Sequence, residues 1–592
     1  MGYRANALYK MTAGTALPVM KENQFRRMVT RLEAARTHAI QMKNITKTFG
    51  KVVANSNVCM DVRQGEILAL LGENGSGKTT LMNMLSGIYF PDSGHIYVDG
   101  TEVNIRSPKD AFDLGIGMIH QHFKLVDVLT AAENIVLGLK GSVQVNRKQL
   151  SDDIREISAR YGFEIDPNKK IYDMAVSEKQ TVEIVKVLYR GANTLILDEP
   201  TAVLTPQETD KLFKILRNMK ADGKAIIIIT HKLNEVLSIS DRVTILRKGE
   251  SIDTVNTASA SVQSLTEGMV GRAVSLKIDR EETDAVWERV IVKHVTCKNA
   301  DGINALEEVS FSLKAGEILG VAGIAGSGQK ELCEAMMGLY PVESGSIAYV
   351  DRDHSEQLAN HTPTDILKRG VRMAFVPEDR LGMGLVASLD MVDNMMLKSY
   401  RNKKGIFVDR RAPRKLAEEL IQRLEIVTPG VSAPVRRMSG GNVQKVLLGR
   451  EIESAPAVLI VAYPVRGLDI NSSYTVYDLL SAQKKKGVAV LFVGEDLDVL
   501  LELCDRILVL CGGRVSGIVD ARTATKEEIG LMMTHVRQNM APDEPPDGPA
   551  AIIPPEAATS LSTGASPEES PQNAQGGNSI TDENQPDGEV EA

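Results

Sequence analysis

GEILALLGENGSGKTTLMNMLSGIYF, residues 65–90, decides the fold. The apolar run from Glu66 to Leu71 has the length of a buried strand, glycines interrupt it, and the stretch from Thr80 to Ile88 predicts a helix. Between them, Gly72-Glu73-Asn74-Gly75-Ser76-Gly77-Lys78-Thr79 fits the phosphate-loop pattern G-x-x-x-x-G-K-[ST], in the strand–turn–helix setting its chemistry requires. Glycines let backbone N–H groups close around phosphates, and the helix N-terminus favours their charge. Lys78 is placed to reach the β- and γ-phosphates of a nucleotide, Thr79 to ligate Mg²⁺, and Thr80 to complete the nucleotide-binding run.

Further along, Thr194-Leu-Ile-Leu-Asp198-Glu199-Pro200 reads as an apolar strand ending in two acids, at the sheet edge where ligands of α/β proteins bind. Asp198 suits a metal and its water shell, and Glu199 a general base for an attacking water. The next apolar strand, Ala225 to Thr230, delivers His231 to the same edge, within reach of a γ-phosphate. Gln121 lies between these motifs and could hold the metal or the water; His120 and His122 beside it, without further ligands, are read as contact or packing residues.

The opening motif returns. GEILGVAGIAGSGQKELCEAMMGLYPVESGSIAYV begins at Gly316, a spacing far longer than that of a solenoid repeat, so each copy is a whole domain. Each copy opens with short alternating strands and continues with apolar strands between polar helical stretches, the sign of a parallel sheet covered by helices. We place an N-terminal extension at 1–38, the first domain at 39–275, an exposed, highly charged connector at 276–288, the second domain at 289–537 and a disordered acidic tail at 538–592.

Composition narrows the partners. The formal charge is -8, but residues 541–592 hold eleven acidic side chains and no Lys or Arg, which leaves the remainder near +3. A nearly neutral folded part offers no basic stripe for nucleic acid. Five cysteines without paired spacing suit a reducing compartment. No apolar run approaches a membrane span, and Lys21 breaks the early apolar stretch, which argues against a secretory signal. Any membrane role then comes through a partner.

The ordered set GENGSGKT, Gln121, LDEP, ITHK and the SGG of Ser439-Gly440-Gly441 resembles the ATP-binding cassette family, over nearly the whole chain apart from its termini. The resemblance implies two fused P-loop ATPase domains of α/β class, each with a parallel sheet core, a small antiparallel β subdomain and a helical subdomain. In that family two cassettes close head to tail, so each ATP sits between the phosphate loop of one half and the signature of the other. The competent site then joins Lys78, Thr79, Gln121, Asp198, Glu199 and His231 to Ser439, Gly440 and Gly441, with Asp469 as the acid of the following loop. Phe49 is similar to the aromatic that stacks on adenine, although an exposed aromatic serves packing as readily.

The opposite site departs from the pattern. Gln329 stands where the lysine belongs, with Lys330 one residue late; Ala462 and Tyr463 replace the two acids; Glu495 replaces the histidine and Glu378 the glutamine. The first half's own signature, taken as Val176–Gln180, lacks both glycines. One hydrolytic site per chain is expected, and whether the second pocket holds nucleotide stays open. Fused cassettes with this asymmetry resemble the ATPase subunits of bacterial importers for simple sugars and nucleosides. The run from Gln121 to Val126 is more similar to the nucleoside branch, with ribose- or galactose-type sugars as the alternative. The implied partners are two membrane permease subunits, docking near Gln121 and Glu378, and indirectly an extracytoplasmic binding protein or lipoprotein; the implied location is the cytoplasmic face of the membrane. A soluble tandem cassette protein acting on ribosomes or DNA is a remote alternative, since such proteins carry two intact sites and a long basic linker.

Overall fold

The computed structural model describes residues 38–535 except 121–122, 140–146, 203, 273–277, 281–286, 352–353 and 401–407. The N-terminal extension, the acidic tail, most of the connector, Gln121 and His122 therefore lie outside the described residues.

Strand Ile67–Leu71 is buried at every position, as are Ala225–Ile229 and most of Thr194–Asp198. Such uniformly apolar strands are stable only when both faces of a sheet are covered. They form the middle of a six-stranded sheet in the order Glu250–Asn256, Arg242–Arg247, Ile67–Leu71, Ala225–Ile229, Thr194–Asp198, Ile116–Ile119. All neighbours are parallel except the first pair. One face packs on helix Lys78–Leu85 and a four-stranded antiparallel sheet that includes His38–Phe49 and Val52–Arg63. The other packs under helices Arg147–Tyr161, Val176–Tyr189 and Pro206–Ala221.

The second half repeats this plan. Its six-stranded sheet runs Met373–Val376, Val458–Ala462, Ala489–Val493, Ile318–Gly323, Arg506–Cys511, Arg514–Asp520, beside a four-stranded sheet of its own. Helices Arg411–Arg423 and Gly440–Glu453 take the places of Arg147–Tyr161 and Val176–Tyr189. Among the described residues no helix is long and apolar enough to cross a membrane, and all five cysteines are free thiols.

Two expectations need correction. The helix expected from Thr80 to Ile88 is Lys78–Leu85, because Gly77 in the left-handed region lets it begin early and Gly87, also at positive φ, ends it. The connector is not wholly exposed. Ile278 packs on the second half's core, and Arg280 donates to the carbonyls of Leu501 and Cys504 at 3.0 and 2.7 Å. Those carbonyls end helix Leu497–Leu503 and need a donor, which fixes the connector at this point.

The halves meet along a shared face. Ile470 joins the first half's core residues Ala69, Leu71 and Val243, and Gln207 Nε2 donates to Glu527 O at 2.9 Å. Within each half, one arginine ties the two sheets together. Arg242 Nε lies 2.6 Å from Glu66 Oε1 and its Nη2 2.9 Å from Asp61 Oδ2; Arg506 binds Glu317 and the Ser312 carbonyl in the same way. Arg242 is buried, so removing it strands Glu66 without its cation. Arg242→Ala should lower the first half's unfolding free energy by about 3 kcal/mol. Lys368→Ala, in an exposed pair with Asp365, should leave stability nearly unchanged. Urea titrations of both variants measure this, and equal effects would refute the tie.

Candidate active site

The phosphate loop is bent too tightly for side chains at two positions. A Cβ on Gly72 would meet Leu246 O at 2.4 Å, and one on Gly77, at φ +97°, would meet Ala54 O at 2.4 Å. With these glycines in place, Lys78 turns back over the loop and donates to Gly72 O at 2.6 Å and Glu73 O at 2.9 Å. Burial holds the Lys78 amine below its usual pKa, opposed by the carboxylates of Glu199, Asp198 and Glu73. Ser76 Oγ is buried with no hydrogen-bond partner among the described residues, and Gly75 also adopts positive φ. Thr79 and Thr80 sit on the helix's first turn, whose amides have no acceptor within the helix.

Parallel pairing of Thr194–Asp198 with Ala225–Ile229 sets Asp198 opposite Ile229, which brings the acids beside His231. Glu199 has φ +47°, its N–H donating to Ile229 O at 2.9 Å. That turn aims its carboxylate at His231, with Oε1 3.0 Å from Nδ1. The two acids shift in opposite directions. Burial, then the charge of Glu199, pushes Asp198 up to about 6. The hydrogen bond to His231 holds Glu199 below its usual value and raises His231 above its own. His120 is half-buried, and burial lowers its imidazole.

From the second half, Ser439 caps helix Gly440–Glu453, and Asn442 Nδ2 donates to its Oγ at 2.9 Å. A Cβ on Gly441 would lie 3.1 Å from Ser472 Oγ and 3.4 Å from Asp469 Oδ2, so the signature and Asp469 form one surface. That surface reaches the first half's loop: Asn74 Nδ2 donates to Leu468 O at 3.3 Å, and Asp469, after burial, raises the Glu73 carboxyl. Lys78, Asp198, Glu199 and His231 thus share one pocket with Asp469 at its margin. Phe49 stands apart at a strand end, 43% exposed, edge-on to Tyr89 at 5.2 Å and with Lys47 Nζ 5.6 Å from its ring centre.

The second half has the same backbone with other side chains. Gly328 repeats Gly77 at φ +97°, and Tyr463 repeats Glu199 at φ +48°. Gln329 Nε2 donates to Ile324 O at 3.1 Å, bonding the loop as the lysine does but without a cation. Lys330 points away, exposed, 3.9 Å from Glu334. Ala462 is buried, and burial pushes the Tyr463 phenol to about 12. Burial also raises Glu495.

Two points escaped the sequence reading. The first half's signature counterpart is Met174–Glu178, two residues earlier than expected: Ala175 caps its helix where Ser439 caps the other, each one residue after the methionine that closes a 3-10 turn. The glycine positions are then Val176 and Ser177, and both glycines are still missing. Arg466, paired with Glu378, was also missed. Its only sequence signal is that the first half has Ala202 at the matching place.

The family model for ABC transporters matches residues 55–202 and 306–464. The chain is 43% identical over 503 residues to the nucleoside import ATP-binding protein NupA of Lactococcus lactis, covering 83% of this chain and 97% of that one. It is 43% identical to the guanosine import ATP-binding protein NupO of Bacillus subtilis, covering 85% and 99%. It is 41% identical to the glucose import ATP-binding protein TsgD13 of Haloferax volcanii, covering 84% and 95%.

The Glu199–His231 contact gives a pH expectation. A carboxylate that accepts from an imidazolium keeps it protonated to higher pH, so His231 should titrate above 6.5 in the nucleotide-free chain. The stabilisation from that raised value is complete below about pH 6.5 and fades as pH rises through the folded-state value. Glu199→Gln should move the His231 titration down, read by NMR of labelled histidine; an unmoved curve would mean that the contact is not ionic.

Proposed function

The chain belongs to the ABC transporter family, and on that premise we propose that it binds and hydrolyses ATP to drive nucleoside import across the cytoplasmic membrane. The observation that carries the reading is the meeting of Lys78, Asp198, Glu199 and His231 in one pocket, while the matching pocket holds Gln329, Ala462, Tyr463 and Glu495. ATP is cleaved at the first pocket alone.

Lys78 exchanges the carbonyls of Gly72 and Glu73 for phosphate oxygens, and its partial burial strengthens that attraction. Ser76 Oγ and the first-turn amides offer further donors to the phosphates. Phe49 has an exposed ring for the adenine, and Ser439, Gly440 and Gly441 close on the nucleotide from the other half. Glu199 stays ionised through His231, the form that takes a proton from water as the water oxygen bonds to the γ-phosphorus and ADP departs. The donor set fits Mg²⁺: Thr79 and Asp198 are hard oxygen ligands, and Asp198 is a buried carboxyl beside a second acid, Glu199, a setting that favours a cation. Thr79, Asp198 and, from the sequence, Gln121 would hold that ion, which supplies neutralisation of phosphate charge.

Two permease subunits dock on the helical regions. Val126, Val128 and Tyr172 are exposed around the Tyr172 N–Asp127 O bond, and Met383 and Val386 are exposed near Glu378. Exposed apolar groups of this kind mark contact surfaces. The chain then works at the cytoplasmic face of the membrane and meets the extracytoplasmic binding protein only through the permease. The nucleoside and guanosine import relatives favour nucleosides as cargo; the glucose import relative supports a sugar as the second reading.

The test is ATP hydrolysis by the chain reconstituted with its permease and binding protein, challenged with nucleosides and simple sugars. Nucleosides should stimulate turnover and sugars should not. Glu199→Gln should lower turnover at least about 100-fold while ATP stays bound. Unchanged turnover in that variant would end the catalytic reading, and stimulation by a sugar alone would replace the cargo.

A further inference from the structure

The loop Tyr463-Pro464-Val465-Arg466-Gly467-Leu468-Asp469 touches both pockets. Its far end meets the first half's phosphate loop through Leu468 and Asp469, and its near end lines the second pocket through Tyr463. Where this loop rests therefore matters to a site in the other half.

In the matching loop of the first half, Pro200 and Thr201 are held by side-chain bonds. Gln180 Nε2 donates to Pro200 O at 2.7 Å, Lys232 Nζ to Thr201 O at 3.2 Å, and Thr201 Oγ1 to Glu235 Oε2 at 2.5 Å. In the second half the partners have changed: Val465 stands for Thr201, Asp496 for Lys232 and Val499 for Glu235. Gln444, the counterpart of Gln180, is kept and fully buried, yet neither atom of its amide has a hydrogen-bond partner among the described residues.

One side chain stands in for these bonds, and the first half lacks it. Arg466 occupies the place of Ala202. Its guanidinium pairs with Glu378, lies 3.7 Å from Glu495 Oε2 and 6.0 Å from the centre of the Tyr463 ring, while its carbonyl accepts from Arg380. Glu378, Tyr463 and Glu495 hold the positions of Gln121, Glu199 and His231. At the second pocket, a half-exposed arginine thus pairs with the carboxylates that replace the glutamine and the histidine.

We propose that Arg466 is a positioning residue for hydrolysis in the first half: held by Glu378 and Glu495, it fixes the loop from Tyr463 to Asp469 against Asn74. The proposal rests on the reading that the first pocket cleaves ATP. A planar guanidinium can bind two carboxylates in a set geometry, which an ammonium does less well. Because the ion pair is half-exposed, its loss should barely change stability. Misplacing a loop that accepts from the Asn74 side chain of the phosphate loop, by contrast, acts on the rate.

The test uses the reconstituted transporter with Arg466→Ala, Arg466→Lys, the Glu378→Gln/Glu495→Gln pair, and that pair combined with Arg466→Ala. Arg466→Ala should lower kcat about tenfold with KM for ATP within about twofold, and Arg466→Lys should recover part of the loss. The glutamine pair should match Arg466→Ala, and the combined variant should be no slower, because the three side chains act as one unit. An unchanged kcat, a loss carried by KM alone, or additive losses would overturn the proposal. If Arg466→Ala does not assemble, the glutamine pair, which keeps the arginine, decides by the same measurements. Glu199→Gln in the same preparation separates the two claims. If it still hydrolyses ATP, the catalytic reading fails; if it is inactive while the Arg466 variants run at full rate, the positioning role alone fails.

Discussion

Lys78 can fold back over its own loop only because Gly72 and Gly77 carry no Cβ. The active pocket depends on this steric allowance. It starts helix Lys78–Leu85 at the lysine and buries the amine beside Asp198 and Glu199. Neighbouring elements supply the walls: Ala54 and Leu246 press on the two glycines from separate strands, so the loop's shape is set by the sheets around it as much as by its own residues. The arginine that ties those sheets, Arg242, therefore supports the chemistry at a distance.

The second half keeps this backbone after losing its chemistry. Gly328 repeats the left-handed turn of Gly77, and Tyr463 adopts the positive φ of Glu199. A bulky residue in that region costs on the order of 1–3 kcal/mol, and it persists only where the surroundings over-determine it. Parallel pairing of Ala462 with Val493, as of Asp198 with Ile229, is such a constraint. The second half is thus held to the same backbone by packing, and it presents a surface in which Gly441 lies against Ser472 and Asp469.

The fold was legible because its signals are local. Uniform apolar strands, a glycine turn followed by Lys-Thr, and a repeat of both are all visible in short windows. The clustering of Lys78, Asp198, Glu199 and His231 could be anticipated because strand ends in a parallel sheet share one edge. Other features were not legible. The signature register of the first half failed because Ser177 in Val176–Gln180 mimics the signature serine, whereas the helix cap at Ala175 sets the true alignment. Arg466 was overlooked because its partners, Glu378 and Glu495, come from distant segments and its contrast with Ala202 appears only once the loops are superposed. The connector looked exposed because Arg280 is charged, yet its guanidinium is used on the free carbonyls of a helix end.

Electrostatics explain why the two pockets differ by more than single substitutions. In the first, adjacent acids are driven apart: Asp198 rises to about 6 while His231 keeps Glu199 ionised. Lys78 feels both carboxylates, together with that of Glu73. In the second, Gln329 brings no charge, Glu495 replaces the imidazole, and Arg466 is already engaged by carboxylates. A carboxylate put back at Tyr463 would enter a buried position where Glu378 and Glu495 add to the effect of burial and Arg466 opposes it. The second pocket thus differs from the first in its whole charge balance and not at one position.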